Sequence, residues 1–146
     1  MTINTRNATY RDAPAIKSLL EGLGYRSSLS LLLGQLENVF GQDDHHVFVC
    51  ERDKEVTGFA SVHFLPQLAF DGGLLLISYF AVDDNLKDER IGTALERHIT
   101  AFARQKKCER IQVHCADWRT PMHRFYLQQG YQEYPKYFTK RLIYGE

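Results

Sequence analysis

The chain has no excess charge of either sign and no long apolar run. Its 18 Lys and Arg residues balance 18 Asp and Glu residues, so bulk electrostatic attraction to nucleic acid or to an anionic membrane is not expected. No apolar run approaches the roughly 20 residues that span a bilayer, and the polar opening MTINTRNATYRD does not have the pattern of a signal peptide. We therefore expect no nucleic-acid partner and no membrane association.

Cysteine is also scarce. Cys50, Cys108 and Cys115 show no CxxC spacing, and an odd number of thiols leaves one unpaired in any disulfide scheme. Reduced thiols are typical of the cytoplasm, which is the location that we expect. The cluster DDHH (43–46) is expected to be a solvated loop and no metal is expected, because adjacent loop residues rarely converge on one ion.

Internal repeats, low-complexity tracts and linkers rich in Pro, Gly or Ser are missing as well. A chain of 146 residues is long enough to bury a hydrophobic core without disulfides or metal ions. The sequence therefore predicts a single domain over residues 1–146.

The hydrophobic pattern predicts two helices, a group of strands, and then alternating elements. The first helix is expected near Asp12 and Pro14 and the second from about Ser28, on either side of the loop Gly24 to Ser28. The later elements are strands at 46–52, 56–65 and 74–82, a helix, a strand at 110–116, a helix at 121–129 that ends at Gly130, and a strand at 137–144. The order is typical of an α+β (mixed α/β) fold in which an antiparallel meander leads into a β-α-β crossover.

The stretch FAVDDNLKDERIGTAL (80–95) joins the central strand to its helix. Backbone N–H groups at the start of such a helix point toward an anion, at the positive end of the helix dipole. Lys87 and Arg90 add positive charge, and Gly92 permits close approach to the backbone. The pattern is compatible with a diphosphate site, but taken alone the stretch favours an ordinary βα loop with a capped helix.

A second informative stretch is RTPMHRFYLQQGYQEY (119–134). On a helix, Tyr126 lies one turn from Met122 and from Gly130. This position allows its hydroxyl to emerge at the edge of the helix while Phe125 packs inward, although the stretch alone favours a structural role. The alternative is a half-buried tyrosine with a purely structural role.

Together, and in this order, the two stretches resemble the GNAT acetyltransferases, and the resemblance covers nearly the whole chain. The opening TRNATYRDAPAIKSLL is similar to their first strand and helix, 80–95 to their pyrophosphate loop Q/R-x-x-G-x-G/A, and RFYLQQGYQEY to their penultimate helix. GFASVHF and the closing run MHRFYLQQGY…FTKRL look closest to the aminoalkylphosphonate and small-amine N-acetyltransferases. The resemblance implies the GNAT fold, which is a mostly antiparallel, twisted mixed sheet flanked by about four helices.

The resemblance also implies acetyl-CoA as co-substrate and assigns residues to it. Lys87 stands at the Q/R position and Gly92 at the last glycine, whereas Asp88 and Arg90 stand where the family often has glycine. The residues that the resemblance assigns to acetyl-CoA are Phe80, Ala81, Val82, Lys87, Asp88, Glu89, Arg90, Ile91, Gly92, Thr93, Arg119 and Met122.

The activity implied by the resemblance is transfer of an acetyl group to a primary amine of a small molecule, by direct attack in a ternary complex. Tyr126 matches the family's general acid, and an ordinary tyrosine pKa of about 10 suits a donor to a thiolate of about 8.5. A backbone N–H near Val82 would stabilise the oxyanion if the central strand splays from the next strand.

The general base is not fixed by the pattern. No Asp or Glu lies between Gly73 and Val82, and Tyr79 stands where related enzymes carry a carboxylate. The base is then Tyr79 through a water molecule, or His63 or His114, or the amine arrives already neutral.

Other functions stay open from the sequence. Cys115 is the best placed thiol for a ping-pong route, but no activating base is paired with it in the sequence. The further alternatives are a non-catalytic acyl-CoA sensor or partner-binding module and an acetyltransferase acting on protein or peptide amines. Arg26 is a candidate partner for an acidic group on the substrate, and the resemblance leaves a homodimer open.

Two substitutions test the diphosphate site. Gly92→Val should abolish most CoA affinity because a branched side chain blocks the backbone, whereas Lys87→Ala should weaken binding modestly and in a salt-dependent way. Calorimetry with CoA at low and high salt measures both effects, with circular dichroism as the check on folding. Normal CoA binding by a folded Gly92→Val variant would place the diphosphate elsewhere.

Overall fold

The structure, a computed structural model, describes residues 2–83, 89–115, 120–134 and 137–143. Its strands are β1 (Ile3–Asn7), β2 (His45–Arg52), β3 (Glu55–Leu65), β4 (Gly73–Val82) and β5 (Cys108–Val113). Its helices are α1 (Ala13–Gly22), α2 (Leu29–Val39), α3 (Glu89–Gln105) and α4 (Thr120–Gln128), and a short 3-10 turn at Tyr10–Asp12 precedes α1.

The chain divides into two compact units, Met1–His114 and Cys115–Glu146. The first unit holds the five strands and helices α1 to α3, and the second holds α4. The assignment of residues 1–146 to one domain stays a prediction. None of the helices in the described ranges has both the length and the apolar character needed to cross a bilayer.

The five strands form one sheet in the order β1-β2-β3-β4-β5. The first four strands pair antiparallel, and β5 pairs parallel to β4. A parallel neighbour needs a crossover connection, which α3 supplies between β4 and β5. The predicted α+β fold is confirmed, with its antiparallel meander and its β-α-β crossover.

Helices cover both faces of the sheet in the first unit. Val47 and Val49 on β2 belong to a buried cluster with residues of α1 and α2. Phe48, between them, contacts His98 and Phe102 of α3 instead. Since successive residues of a strand point to opposite faces, α1 and α2 lie on one face and α3 on the other.

The predicted hairpin between β2 and β3 is confirmed, and it carries a bulge. Asp53 and Lys54 form its turn with φ of 52° and 71°, a left-handed pair that suits a tight hairpin. Glu51 pairs with Val56 but Cys50 pairs with Gly58, so Thr57 is the extra residue on β3. From this bulge onward, each residue of β2 pairs with a β3 residue one position later than an unbroken count would give.

Both predicted helix starts are observed, although Asp12 does not act as expected. The Ser28 hydroxyl accepts a hydrogen bond from the Leu31 N–H at 3.1 Å and caps α2. The carboxylate of Asp12 makes no such bond to α1. It accepts hydrogen bonds from the Arg6 guanidinium at 2.8 and 2.9 Å and from the Thr9 N–H at 2.8 Å. The bidentate pairing with Arg6 of β1 ties the first strand to the start of the first helix.

The prediction of a final strand at 137–144 is wrong for the described residues, because 137–143 have no strand conformation. The segment is rich in aromatic and branched side chains, and Phe138 is 94% exposed. Such composition only makes a strand favourable, since strand formation depends on pairing and burial rather than on intrinsic preference.

The Arg6–Asp12 pair should make stability depend on pH. The hydrogen bonds from Arg6 lower the pKa of Asp12, so the pair stabilises the fold fully above the unfolded carboxyl pKa of about 4. This contribution disappears as the pH falls through the lower folded value. Arg6→Gln should lower the free energy of unfolding at pH 7 by about 1–3 kcal/mol.

Urea unfolding, from pH 7 down to the acid limit of the folded state, measures this difference. Lys17→Gln is the matched control, because Lys17 forms an exposed ion pair with Glu21 at 3.1 Å; its loss should cost at most about 0.5 kcal/mol. A difference between wild type and Arg6→Gln that stays constant as the pH falls would contradict the account.

Candidate functional site

The candidate site lies where β4 extends beyond its last pair with β5. The parallel pairs between these strands run from Gly73–Cys108 to Ile77–Val113, whereas β4 continues to Val82 and stays paired with β3 along that length. Five residues of β4, 78–82, therefore extend past the last β5 pair. A ligand with amide groups can extend the sheet along such an edge.

The element that follows β4 along the chain is α3, as predicted. Phe80 and Ala81 are buried and Val82 is half-buried. The Asp83 N–H donates to the Thr57 carbonyl at 2.8 Å, which continues the ladder by one residue. Lys87, Asp88 and Arg119 lie outside the described residues, so their assignment to acetyl-CoA stays a prediction.

Gly58 of β3 lies against the first turns of α3. A Cβ on Gly58 would lie 3.0 Å from Cγ2 of Ile91 and 3.3 Å from the Ala81 carbonyl. Glycine at this position of β3 therefore lets the start of α3 approach the sheet closely. Ile91 is fully buried, Gly92 is buried, Thr93 is half-buried and Arg90 is exposed.

These features fit a CoA molecule in two respects. The extended edge at 78–82 suits the amide groups of its pantetheine arm. Helix α3 begins at Glu89 and is 17 residues long. Its dipole and its first-turn N–H groups suit a diphosphate. Inward packing of Ile91 leaves Arg90 on the outside. Strand edge and helix N-terminus are consecutive along the chain, so one elongated ligand can use both.

Tyr79 lies on the part of β4 that extends past β5. Its ring meets that of Tyr25, from the loop between α1 and α2, with centroids 5.4 Å apart and planes at 83°. Tyr79 is 38% exposed. Burial, and then the neighbouring Tyr25, raise the pKa of Tyr79, so the phenol stays protonated at neutral pH. That direction disfavours Tyr79 as the base.

A histidine pair lies beside Tyr79, on the same face of the sheet. His63 of β3 and His45 of β2 are directly opposite each other, with their Nδ1 atoms 2.8 Å apart. The Nε2 atom of His63 is 2.7 Å from Oγ of Ser78. Burial, and then the proximity of His45, lower the pKa of His63. The predicted candidate His63 thus belongs to a hydrogen-bonded series of three side chains.

The sequence pattern did not point to Ser78 or His45, the two partners of His63. Ser78 is a bulge residue on β4, because Ser61 pairs with Tyr79 while Val62 pairs with Ile77. The motif DDHH was expected to be a loop, but His45 and His46 begin β2 and point to opposite faces. His46 instead packs against Phe102 of α3, with ring centroids 4.6 Å apart.

Tyr126 lies on α4, in the second unit. The helix ends as predicted: Gly130 has a φ of 94°, the Tyr131 N–H donates to the Tyr126 carbonyl at 3.1 Å, and the Gly130 N–H donates to that of Leu127. This arrangement is a Schellman motif.

Phe125 is less buried than expected, whereas the position of the Tyr126 hydroxyl stays a prediction. Tyr126 is 7% exposed, whereas Phe125 is only half-buried. The rings of Tyr126 and Tyr131 lie 5.5 Å apart, because the helix-ending turn folds the chain back onto the last helical turn. Met122, one turn earlier, is half-buried.

Burial makes two of the cysteines poor candidates for a nucleophile. Burial raises the pKa of the fully buried Cys50 and of the half-buried Cys108, which opposes thiolate formation. Within the described ranges, no group of three His, Cys, Asp or Glu side chains is arranged to hold a metal ion.

The fold of this chain is similar to that of several solved structures. A transcriptional regulator from Bacillus halodurans C-125 has a TM-score of 0.87 at 19% identity, over 97% of this chain and 100% of its own. An aminoglycoside acetyltransferase from an uncultured soil metagenomic sample, in complex with trehalose, has a TM-score of 0.80 at 21% identity, over 97% of both chains. Glucosamine-6-phosphate N-acetyltransferase from Arabidopsis thaliana has a TM-score of 0.82 at 18% identity, over 98% and 100%. At these identities the likeness shows the fold alone.

The sequence identifies the family more specifically than the structural likeness does. No curated protein matches it significantly in sequence. The family model for the acetyltransferase (GNAT) family matches residues 14–131, a range that contains the extended edge of β4, α3 and α4. The chain therefore belongs to the acetyltransferase (GNAT) family and is an acetyl-CoA-dependent N-acetyltransferase.

Proposed function

We propose that this enzyme acetylates the primary amine of a small molecule, by direct attack of the amine on the thioester within a ternary complex. The observation that carries the proposal is the departure of β4 from β5 after Ile77, followed by the start of α3. This arrangement offers a strand edge to the acyl end of acetyl-CoA and a helix N-terminus to its diphosphate.

The strand edge has a chemical task beyond binding. A thioester carbonyl beside 78–82 becomes an oxyanion during attack, and a backbone N–H near Val82 is a fixed donor for that charge. Such a donor needs no reorganisation during the reaction, because its position is set by pairing of β4 with β3. The proposed acetyl-CoA contacts are those expected from the sequence: 80–82, 87–93, Arg119 and Met122.

The acceptor side is proposed to be the face that carries Tyr25, Tyr79 and His63. The opposite face is closed by α3, whose Ile91, Leu95 and Ile99 are fully buried. Tyr79 and His63 on this face are polar and partly exposed, and the directions of their pKa shifts leave Tyr79 protonated and His63 neutral at pH 7. These groups support a small amine acceptor, and closeness to the aminoalkylphosphonate and small-amine enzymes remains part of the proposal.

A thiol-release assay tests the activity. Acetyl-CoA is mixed with the enzyme and a panel of amines: an aminoglycoside, glucosamine 6-phosphate, an aminoalkylphosphonate, and a peptide that begins with alanine. The proposal expects turnover with at least one small amine and little with the peptide. Turnover restricted to the peptide would favour a protein or peptide acetyltransferase, and CoA binding without turnover of any amine would favour a sensor or partner-binding module.

Tyr126 is proposed as the general acid that protonates the leaving thiolate. Tyr126→Phe removes the hydroxyl but keeps the ring that packs against Tyr131, so folding and CoA affinity should change little. The expected result is a loss of about 10²–10⁴-fold in kcat, the usual range for a general acid. Any alkaline fall in the wild-type rate that reports this tyrosine should also disappear.

The measurement needs an acceptor for which chemistry, rather than product release, limits the rate. Tyr131→Phe is the matched control, because it removes the hydroxyl of the ring that neighbours Tyr126. Near-full kcat for Tyr126→Phe under these conditions would make the tyrosine structural and assign the proton to another donor.

A further inference from the structure

We propose that Ser78, His63 and His45 form a proton path that takes the proton from the substrate ammonium and delivers it to solvent. The path rests on the proposed function, since it supplies the base for the same reaction. It is carried by two short contacts, Ser78 Oγ to His63 Nε2 at 2.7 Å and His63 Nδ1 to His45 Nδ1 at 2.8 Å.

The protons of these three side chains can be arranged in two ways. In the first, the Ser78 hydroxyl donates to the Ser61 carbonyl, 3.2 Å away. His63 then donates from Nε2 to Ser78 Oγ and accepts at Nδ1 from His45. Each contact has one donor and one acceptor, and both imidazoles are neutral.

The second arrangement moves every donor by one position. The Ser78 hydroxyl turns to donate to His63 Nε2, His63 donates from Nδ1 to His45 Nδ1, and His45 carries its proton on Nε2. Both imidazoles are again neutral. In this state Ser78 Oγ presents its lone pairs to an incoming ammonium group, while His63 Nε2 is ready to accept the hydroxyl proton.

Proton transfer along this series balances. The ammonium N–H bond breaks and a new O–H bond forms on Ser78, while the original hydroxyl proton passes to His63 Nε2. The Nδ1 proton of His63 passes to His45 Nδ1, and His45 releases its Nε2 proton to water. The amine becomes neutral and nucleophilic, and the three side chains reach the first arrangement, from which rotation of the Ser78 hydroxyl and tautomer exchange restore the second.

The position of Ser78 supports this role. It is both the bulge residue of β4 and the first residue past the last β4–β5 pair. The bulge places Ser78 on the same face as Tyr79 and His63, rather than on the face covered by α3. The hydroxyl therefore lies where the acceptor face meets the part of β4 that extends past β5, and there, under the proposed function, an amine reaches the thioester.

The groups around His63 suit a proton acceptor. From β2 it faces His45, and from β4 it faces Ser78. Tyr79, the next residue of β4, contacts Tyr25. Burial, and then the proximity of His45, lower the pKa of His63. His63 is consequently neutral at pH 7 and does not hold a proton that would block transfer.

The test compares pH profiles of kcat/KM for wild type and His63→Gln, with the small amine that the thiol-release panel shows to be turned over. His63→Gln should lose about 10²–10⁴-fold in kcat/KM at pH 7. The variant can then use only substrate amine that is already deprotonated in solution. The fraction of this neutral amine rises tenfold per pH unit below an ammonium pKa of about 10. Its deficit should therefore shrink by up to tenfold per unit as the pH rises from 7 to 9.5, until it disappears.

Ser78→Ala should reproduce the pH-dependent deficit, because it removes the hydroxyl that links the amine to His63. His46→Gln is the matched control: this neighbouring histidine packs against Phe102 on the other face, and its profile should match wild type. An equal deficit of His63→Gln at every pH would make His63 a structural residue and overturn the proton path.

Nitrogen NMR of the imidazole rings gives a readout that needs no substrate. The His63 ring should be neutral at pH 7, and Ser78→Ala should change the tautomer balance of His63 and His45 but not that of His46. A His63 ring that is protonated at pH 7 would overturn the path even in an active enzyme. Wild-type enzyme that turns over no amine at any pH would overturn the proposed function, and the path with it, whatever the rings show.

Discussion

The hydrogen bonding of β4 is the constraint on which the site depends. Its backbone pairs with β3 as far as Val82 but with β5 only as far as Ile77. Peptide groups on the edge of a central strand require partners, from protein, water or ligand. The residues 78–82 that extend past the last β5 pair are therefore held by β3 on one side, and we propose that their other side faces acetyl-CoA.

Two β-bulges bring the side chains of His45, His63 and Ser78 together near that edge. The bulge at Thr57 shifts the pairing of β2 with β3 by one residue, and the bulge at Ser78 does the same between β3 and β4. A shift of one residue changes which side chains share a face. Through these shifts His45 faces His63, and the hydroxyl of Ser78 reaches His63 from the next strand. The site thus uses irregularities in the sheet rather than its regular part.

Sequence patterns predicted the helices, the hairpin and the central strand well, because local periodicity and turn residues determine them. They could not predict the histidine pair. Counted from the Arg52–Glu55 pair without a bulge, His45 would lie opposite Val62; the bulge at Thr57 moves its partner to His63. The expected strand at 137–144 failed in its described part for a related reason: strand formation depends on pairing that composition does not encode.

Amide hydrogen exchange, read residue by residue by NMR with and without CoA, tests the central claim most directly. If acetyl-CoA lies along the extended edge and its diphosphate at the start of α3, CoA should slow exchange within 78–82 and 89–93. Exchange in β1, which lies at the far edge of the sheet, should be unchanged. CoA binding that is evident by calorimetry but leaves exchange at 78–82 and 89–93 unaltered would contradict the account.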